Sequence, residues 1–533
     1  MHFEQRAESL SPSEVAALIT SHRSLEENYR CLEHSKAQLE ARVEELKRQL
    51  EWFKQQLFGS KSERRLIEPS PEQLSLGEDL RPASEDTAPR QQIAAHTRRR
   101  RTPGNDEDTV SGLKFDASIP VEVIELEDPE VAGLGADEIE PIGEKVTYRL
   151  AQQKGGYVIL KYVRKVLKRK DTGSITCAPA PGGVIERSHA DVSFLAGLVI
   201  DKFQYHLPLY RQHQRLKQAG IEVSRPWLTQ LVHRTAALLE PVYEAQLASI
   251  RASGVIAMDE TPIKAGHKSR GKLKTTYFWP LYGDQDEVAF PWFASRASPN
   301  VKALLGEYSG TLLSDGYAAY ARYAAQSTAI VHAQCWAHAR RHFCEAEPAE
   351  PALAAAALER IGVLYRIEQA IAEAELEGAP KLAHRLEHAK PVVDAFFGWC
   401  EDTLADQALL PSNPLTKALG YVLERRVQLG VFVSDPDVPI DTNHLERALR
   451  PIPMGRKNWL FCWTEVGAKY VGVLQSLLST CRLHQIHPYD YLVDVLQRID
   501  SHPAKDVRRL TPRLWKASFA ADPMRAPLDN LRQ

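Results

Sequence analysis

Three acidic side chains stand where carboxylate chemistry can be done. Asp259 closes the run GVIAMD, Asp315 follows Thr311-Leu312-Leu313-Ser314, and Glu446 lies in DTNHLERALRPIPMGRKNWLF. Carboxylate oxygens are ligands for hard divalent cations, and two such cations about 3.5–4 Å apart clamp the attacking and leaving oxygens of a phosphoryl displacement. Two aspartates make only part of such a site, so a third acid is needed, and Glu446 is the best candidate. The plainer reading of Glu446 is an i, i+4 ion pair with Arg450.

The elements that must position these acids can be read from the patterning around them. Val255, Ile256, Ala257 and Met258 form a near-continuous apolar run, which suits a strand covered on both faces of a mixed sheet, with Asp259 emerging at its end. Thr311, Leu312 and Leu313 do the same for Asp315. Strands over 276–282 and 288–294 are expected between them, so the two aspartates can lie on neighbouring strands. Glu446 belongs to the opening turns of a helix: Asp441 or Thr442 can cap it, Leu445 and Leu449 give an apolar edge, and Pro451 ends it.

Further stretches carry a family resemblance. They are LFGSKSER at 57–64, YHLPLYRQ at 205–212, MDETP at 258–262, SDGYAAY at 314–320, CWAHARRHF at 335–343, LYRIE at 364–368 and NHLERALRPIPMGRKNWLF at 443–461. Together they span nearly the whole chain, which resembles the transposases of the insertion sequence 66 family, DDE enzymes with a ribonuclease-H-like core. The resemblance implies that Asp259, Asp315 and Glu446 are the metal-binding catalytic triad. It implies two Mg2+ ions, with Mn2+ possible, Asp259 bridging both and the other two acids each completing one. Water and then a DNA 3′-hydroxyl are the nucleophiles, and accessory proteins encoded beside the element are possible partners. The chain departs from the family pattern at Thr442, where an asparagine is common, and in 111–183, where a cysteine-paired zinc motif is usual but Cys177 stands alone.

A chain of 533 residues exceeds one core, since single cores stop growing near ~250–300 residues. The division expected is a coiled coil over 1–58, a flexible linker over 59–110, a degenerate zinc-finger-like β domain over 111–183 and a helix-turn-helix-like domain over 184–250. The catalytic core follows over 251–344, is interrupted by a helical insertion over 345–430, resumes over 431–480, and is closed by a helix and loose tail over 481–533. The fold class is therefore multidomain α/β. The coiled coil rests on Leu18, Leu25, Leu32, Leu39, Leu46 and Phe53 at heptad spacing, which predicts a homo-oligomer, most simply a dimer through 13–58.

The net charge of −2 leaves room for DNA binding, because Lys and Arg are clustered. One cluster is the basic strand Lys161, Arg164, Lys165, Lys168, Arg169 and Lys170, expected to set a cationic face beside an apolar one and to contact phosphates without zinc; a merely solvated strand face is its plain alternative. Another is the four-arginine run at 98–101. The helix pair 207–219 and 224–239 resembles a helix-turn-helix, with Arg225, Gln230, His233 and Arg234 as candidate DNA contacts, although plain packing is the commoner role of such pairs. Arg340 and Arg341 are expected to face DNA, and Asn443, Arg447, Arg450, Arg456, Lys457 and Trp459 to contact phosphates or stack on bases. Cys335, His338, His342 and Cys344 invite a zinc site, but a core cysteine on a DNA-facing helix is the preferred reading.

The seven cysteines show no disulfide spacing, and no apolar window reaches the ~18 residues of a membrane span, so a cytoplasmic, nucleoid-associated protein is expected. The function that follows is a DNA transposase that cuts element ends and joins the 3′-hydroxyl to target DNA. Its rivals are a catalytically silent DNA-binding relative and a nuclease that cuts without joining.

Overall fold

The computed structural model describes residues 113–530 apart from 116–118, 132–133, 136, 154, 270–271, 406–410, 460–461 and 463, and, of the N-terminal hundred, only Ser13, Tyr29, Glu33 and Lys36. Apart from those four residues, the coiled coil lies outside the described residues, as do the linker and the arginine run at 98–101.

The first folded element is a β domain. Strands β1 (Val121–Leu126), β2 (Ile139–Gln153), β3 (Gly156–Arg169) and β4 (Ile175–Cys177) form a sheet in which β3 pairs antiparallel with β2 and β4 and parallel with β1. Gly155, at φ +80°, closes the β2–β3 hairpin in a conformation other residues avoid. The single cationic face expected here is not formed. Side chains alternate along a strand, so Lys161, Lys165 and Arg169 share one face while Arg164 and Lys168 point to the other, and Lys170 follows the strand's end. Two of the six are already paired, Lys165 with Glu125 and Arg169 with Asp171, each at 2.9 Å.

Three helices come next: α1 (Val192–Phe203), α2 (Leu209–Gln218) and α3 (Arg225–Arg251). Ser224 caps α3 through Trp227 N–H at 3.2 Å, as its sequence position implies. The helix does not stop near 239 but runs to Arg251 through Pro241. The exposed proline interrupts only the solvent face, while Leu239, Val242, Tyr243, Leu247 and Ile250 continue the buried stripe. Gln246 on α3 donates to the Val288 carbonyl and the Thr480 hydroxyl, tying this helix to the central sheet.

The central sheet has five strands, assembled from β5 (Val255–Met258), β8 (Leu281–Gly283), β9 (Val288–Ala289), β11 (Gly310–Ser314) and β12 (Ile330–Gln334), in the order β9-β8-β5-β11-β12. The pairs β9/β8 and β8/β5 are antiparallel, whereas β5/β11 and β11/β12 are parallel. A second sheet beside it holds β6 (Thr261–Ser269), β7 (Lys272–Phe278) and β10 (Trp292–Phe293). The strands expected over 276–282 and 288–294 are thus each divided between two sheets. Pro280 and Pro291 mark both divisions, because proline cannot donate to a ladder and its ring bends the strand.

Helices α4 (Pro299–Leu305) and α5 (Ala318–Ala324) flank β11, and α6 (Trp336–Ala346) follows β12. The insertion is helical as expected: α7 (Pro351–Glu373), α8 (Gly378–His384), α9 (Lys390–Ala405), α10 (Pro414–Leu423) and α11 (Arg426–Ser434). Trp336 is its anchor, fully buried against Phe396, Phe397 and Phe432 and donating to the Leu429 carbonyl. The buried Arg385 pairs with Glu368 and donates to three carbonyls, of Phe432, Asp435 and Val438, so its charge is met and the chain leaving the insertion is fixed.

After α12 (Asn443–Leu449), Pro451 does end a helix, but it also begins the next, α13 (Pro451–Trp459), since proline is preorganised for a first helical turn. Helix α14 (Glu465–Leu483) packs on the sheet and accepts the Phe290 N–H on Ser476, and α15 (Pro488–Arg498) follows. The tail is not loose. Buried Asp494 on α15 accepts from Arg498, from the Trp515 indole on α16 (Pro512–Ser518) and from Met524 N–H. Leu528 on α17 (Pro527–Asn530) is buried against Val158, Leu160 and Tyr162 of the β domain. Among the described residues no helix is long and apolar enough to cross a membrane.

Candidate active site

The parallel register of β5 and β11 sets the first two acids level. Leu312 pairs with Ile256 and Leu313 with Ala257, so Asp259 and Asp315, each two residues further on, leave the sheet at the same height on adjacent strands. Oxygens of Asp259, Glu260 and Asp315 all lie within 4.8 Å of one another. Tyr317 N–H donates to Asp315 Oδ1 at 2.9 Å, and Glu260 N–H to Asp259 Oδ1 at 2.7 Å, which orient the two carboxylates. Gly316 is required beside Asp315 for space: a Cβ there would stand 2.8 Å from the Tyr421 ring.

Glu446 comes from α12. Asp441 caps that helix by accepting the Asn443 N–H at 2.9 Å, whereas Thr442, the alternative cap, donates its hydroxyl to Cys335 Sγ at 3.2 Å. Tyr365, on the insertion, donates to the other oxygen of Asp441. Glu446 then lines the same cavity, of about 670 Å3, as Asp259 and Asp315. Among the described residues no ion pair joins it to Arg450. Its neighbour is His338, with Nε2 at 4.0 Å.

Burial and crowding show in the proton affinities. Asp259 is pushed up to about 7, chiefly because it is buried and further because Glu260, Asp315 and Glu446 are close. His332 is pulled down to about 4 by burial, and burial lowers His338 as well. These carboxylates repel one another, and hard oxygen donors so gathered fit a divalent cation such as Mg2+ or Mn2+.

Arginines surround the acids. Arg341, Arg447 and Arg450 line the cavity, as does Asn443, whose side-chain amide is held by Asp441. Arg340 is exposed outside it. Arg225 lies with its guanidinium over Tyr210, Arg456 donates to the Pro262 carbonyl, Lys457 is exposed and Trp459 packs half-buried on the core; none of these, nor the cations of β3, lines the cavity. His233 is engaged with the Tyr470 ring and Arg234 with the Glu186 carbonyl, so two of the supposed base-reading side chains of α3 have partners within the fold. Cys335 is buried as the sulfur acceptor for Thr442.

Two site residues were not singled out by the sequence, and a third was weighed there only as part of a zinc site. Glu260 follows Asp259, yet both its oxygens are engaged, one with Arg296 and the other with the Tyr320 hydroxyl. Arg296 stacks over Tyr317, 4.1 Å from the ring centroid, and closes a loop of contacts back to Asp315. His338 is the third. The adjacency in MDETP was a signal for Glu260; no local pattern marks Arg296.

This mixed α/β fold gathers its acids between the ends of two inner strands and a helix, and sequence comparison sets the chain among the transposases. Residues 187–470 match the transposase IS66 family, 476–513 the IS66 C-terminal element, and 45–124 the family described as transposase C of IS166 homeodomain. The chain belongs to the IS66 transposase family. It is 31% identical over 417 residues to the uncharacterized protein y4hP of Sinorhizobium fredii (strain NBRC 101917 / NGR234), covering 74% of each chain. To y4qI of the same strain it is 29% identical over 412 residues, covering 74% of this chain and 75% of the relative. Membership implies DNA as partner and use of a divalent metal, for which the acidic cluster is present.

Proposed function

We propose that the chain is a DNA transposase that cuts the ends of its element and joins the 3′-hydroxyl to target DNA, with Asp259, Asp315 and Glu446 as the catalytic metal-holding acids. One observation carries this reading: three acids from three separate elements, two strand ends and one helix, meet in a single arginine-rimmed cavity. The order of the five strands, antiparallel on one side of β5 and parallel on the other, supports a ribonuclease-H-like core.

Asp259 and Asp315 would present oxygens to the shared position, and Glu446 would reach the second from α12. Divalent cations bound there would neutralise charge at the scissile phosphate and activate the attacking hydroxyl. The chain's own groups do the rest. Arg341, Arg447 and Arg450 bind flanking phosphates, Tyr317 N–H keeps Asp315 in orientation, and Glu260 holds Arg296 against Tyr317 at the cavity wall. No protein nucleophile is needed. The boundaries given from the sequence, self-association through 13–58, and backbone contacts by the β domain without zinc belong to the same proposal.

The test is to incubate the protein with a linear fragment carrying the repeats that flank its gene, supercoiled plasmid and Mg2+. Joined product is expected. Nicked fragment without joining would reassign the chain to a nuclease, and repeat binding without any Mg2+-dependent product would reassign it to a silent relative.

A further inference from the structure

We propose that His338 is a nitrogen ligand for a divalent cation, paired with Glu446 in a donor set distinct from Asp259 and Asp315. The inference rests on the metal-holding reading of the cavity and adds to it the identity of a ligand.

The carboxylate group is shorter of donors than it looks. Glu260 lies near Asp259 and Asp315, but Arg296 and Tyr320 occupy its two oxygens, and its side chain is 3% exposed. That leaves Asp259 and Asp315 on one side and Glu446 alone on the other, so water, a substrate oxygen or a further side chain completes a cation's shell of about six ligands. His338 lines the same cavity, and its Nε2 stands 4.0 Å from Glu446 Oε1. This is too wide for a hydrogen bond. It is within the span of two atoms touching one ion, since ligands about 2.1 Å from a metal stand no more than about 4.2 Å apart. Nδ1 is enclosed and has no hydrogen-bond partner, so Nε2 is the nitrogen left for a ligand. Helix α6 holds the ring there through the burial of Trp336, Ala339 and Phe343 on its opposite side.

An imidazole and carboxylate pair has a chemical preference. Nitrogen donors suit Mn2+ and later first-row ions better than Mg2+, which favours oxygen and water. The cavity would then hold one oxygen-only position and one mixed position.

The test uses the full chain and Mn2+. Loss of the free Mn2+ electron paramagnetic resonance signal on titration gives the number bound. Electron spin-echo modulation of the bound ion reports nitrogen directly bonded to it, and protein grown with 15N-histidine assigns that nitrogen without any mutation. Two Mn2+ per chain, with a modulation that changes on 15N-histidine labelling, are expected. His338→Ala should abolish the nitrogen signal and weaken one of the two sites by at least roughly tenfold, leaving the other. Bound Mn2+ without nitrogen modulation, removable by Asp259→Asn, would overturn the role of His338 and leave the acid site standing. No Mn2+ binding at all would overturn both.

Discussion

Thr442 donates both its hydroxyl and its backbone N–H to Cys335 Sγ, at 3.2 and 3.3 Å. Cys335 N–H in turn donates to the Ser314 carbonyl at 3.1 Å, and Glu446 N–H to the Thr442 carbonyl at 3.0 Å. A short relay of hydrogen bonds therefore links the strand bearing Asp315 to the helix bearing Glu446, although 131 positions separate those acids along the chain. This relay, with the insertion's Tyr365 on Asp441, answers how a residue beyond a long helical insertion returns to the site.

Thr442→Val removes the hydroxyl donor at nearly constant volume. A loss of about 1 kcal/mol in unfolding free energy is expected, with a larger proportional fall in DNA cleavage because Glu446 loses its register. Denaturant unfolding and a cleavage assay on the same preparation check this, and cleavage falling no more than stability would place the relay outside the site.

Asp259→Asn should stabilise the metal-free protein. The folded state raises this carboxyl to about 7, so the protonated form is the one the fold favours. Its contribution to stability is full below the unfolded carboxyl's value of about 3.9 and is lost as pH rises through about 7. At pH 8 the neutral amide avoids that loss, and a gain of on the order of 1–4 kcal/mol is expected. At pH 4 the gain should vanish. Thermal melts in chelator at both values decide it; a variant less stable at pH 8 contradicts the assignment.

Divalent cation affinity should depend on the same proton. A cation needs the ionised carboxylate, so below about 7 binding competes with protonation and affinity falls by up to about tenfold per pH unit. Calorimetric titration with Mn2+ at pH 6, 7 and 8 should show this slope below 7 and a weaker one above for the Asp259–Asp315 site, which Asp259→Asn should remove while the site at His338 and Glu446 remains.

What could be read from the sequence follows the range of the interactions involved. The apolar run before Asp259 and the one before Asp315 are local signals, and both strands lie where the patterning puts them. The cap and apolar edge around Glu446 are local too. Glu260's engagement depends on Arg296 and Tyr320, 36 and 60 positions away, and no spacing rule reaches that far. The same holds for the tail, which is held by Asp494 and by a β-domain surface and not by its own composition. The expected cationic face fails for a nearer cause: strand alternation divides the basic residues, with Lys161, Lys165 and Arg169 on one face and Arg164 and Lys168 on the other.

That distribution sharpens the DNA-binding expectation for the β domain. Lys165 and Arg169 are already offset by acids, whereas Lys168 and Lys170 have no acidic partner among the described residues. Lys168→Ala with Lys170→Ala should flatten the slope of log affinity against log salt by roughly two units, and Lys165→Ala by much less. Sequence preference should stay as it is, since phosphate contacts do not read bases. Equal slopes for all variants would remove this domain from the interface.

The most direct test of the central claim is a parallel assay of Asp259→Asn, Asp315→Asn and Glu446→Gln for repeat-end binding and for Mg2+-dependent cleavage and joining. Each variant should bind the repeat ends as the unaltered protein does and yield no cleaved or joined product, because each removes one oxygen donor from the cavity while the DNA-contacting surfaces stay intact. Cleavage persisting in any of the three at more than about a hundredth of the unaltered rate, a loss of less than about 2.7 kcal/mol of transition-state stabilisation, would contradict the assignment of that acid and with it the triad.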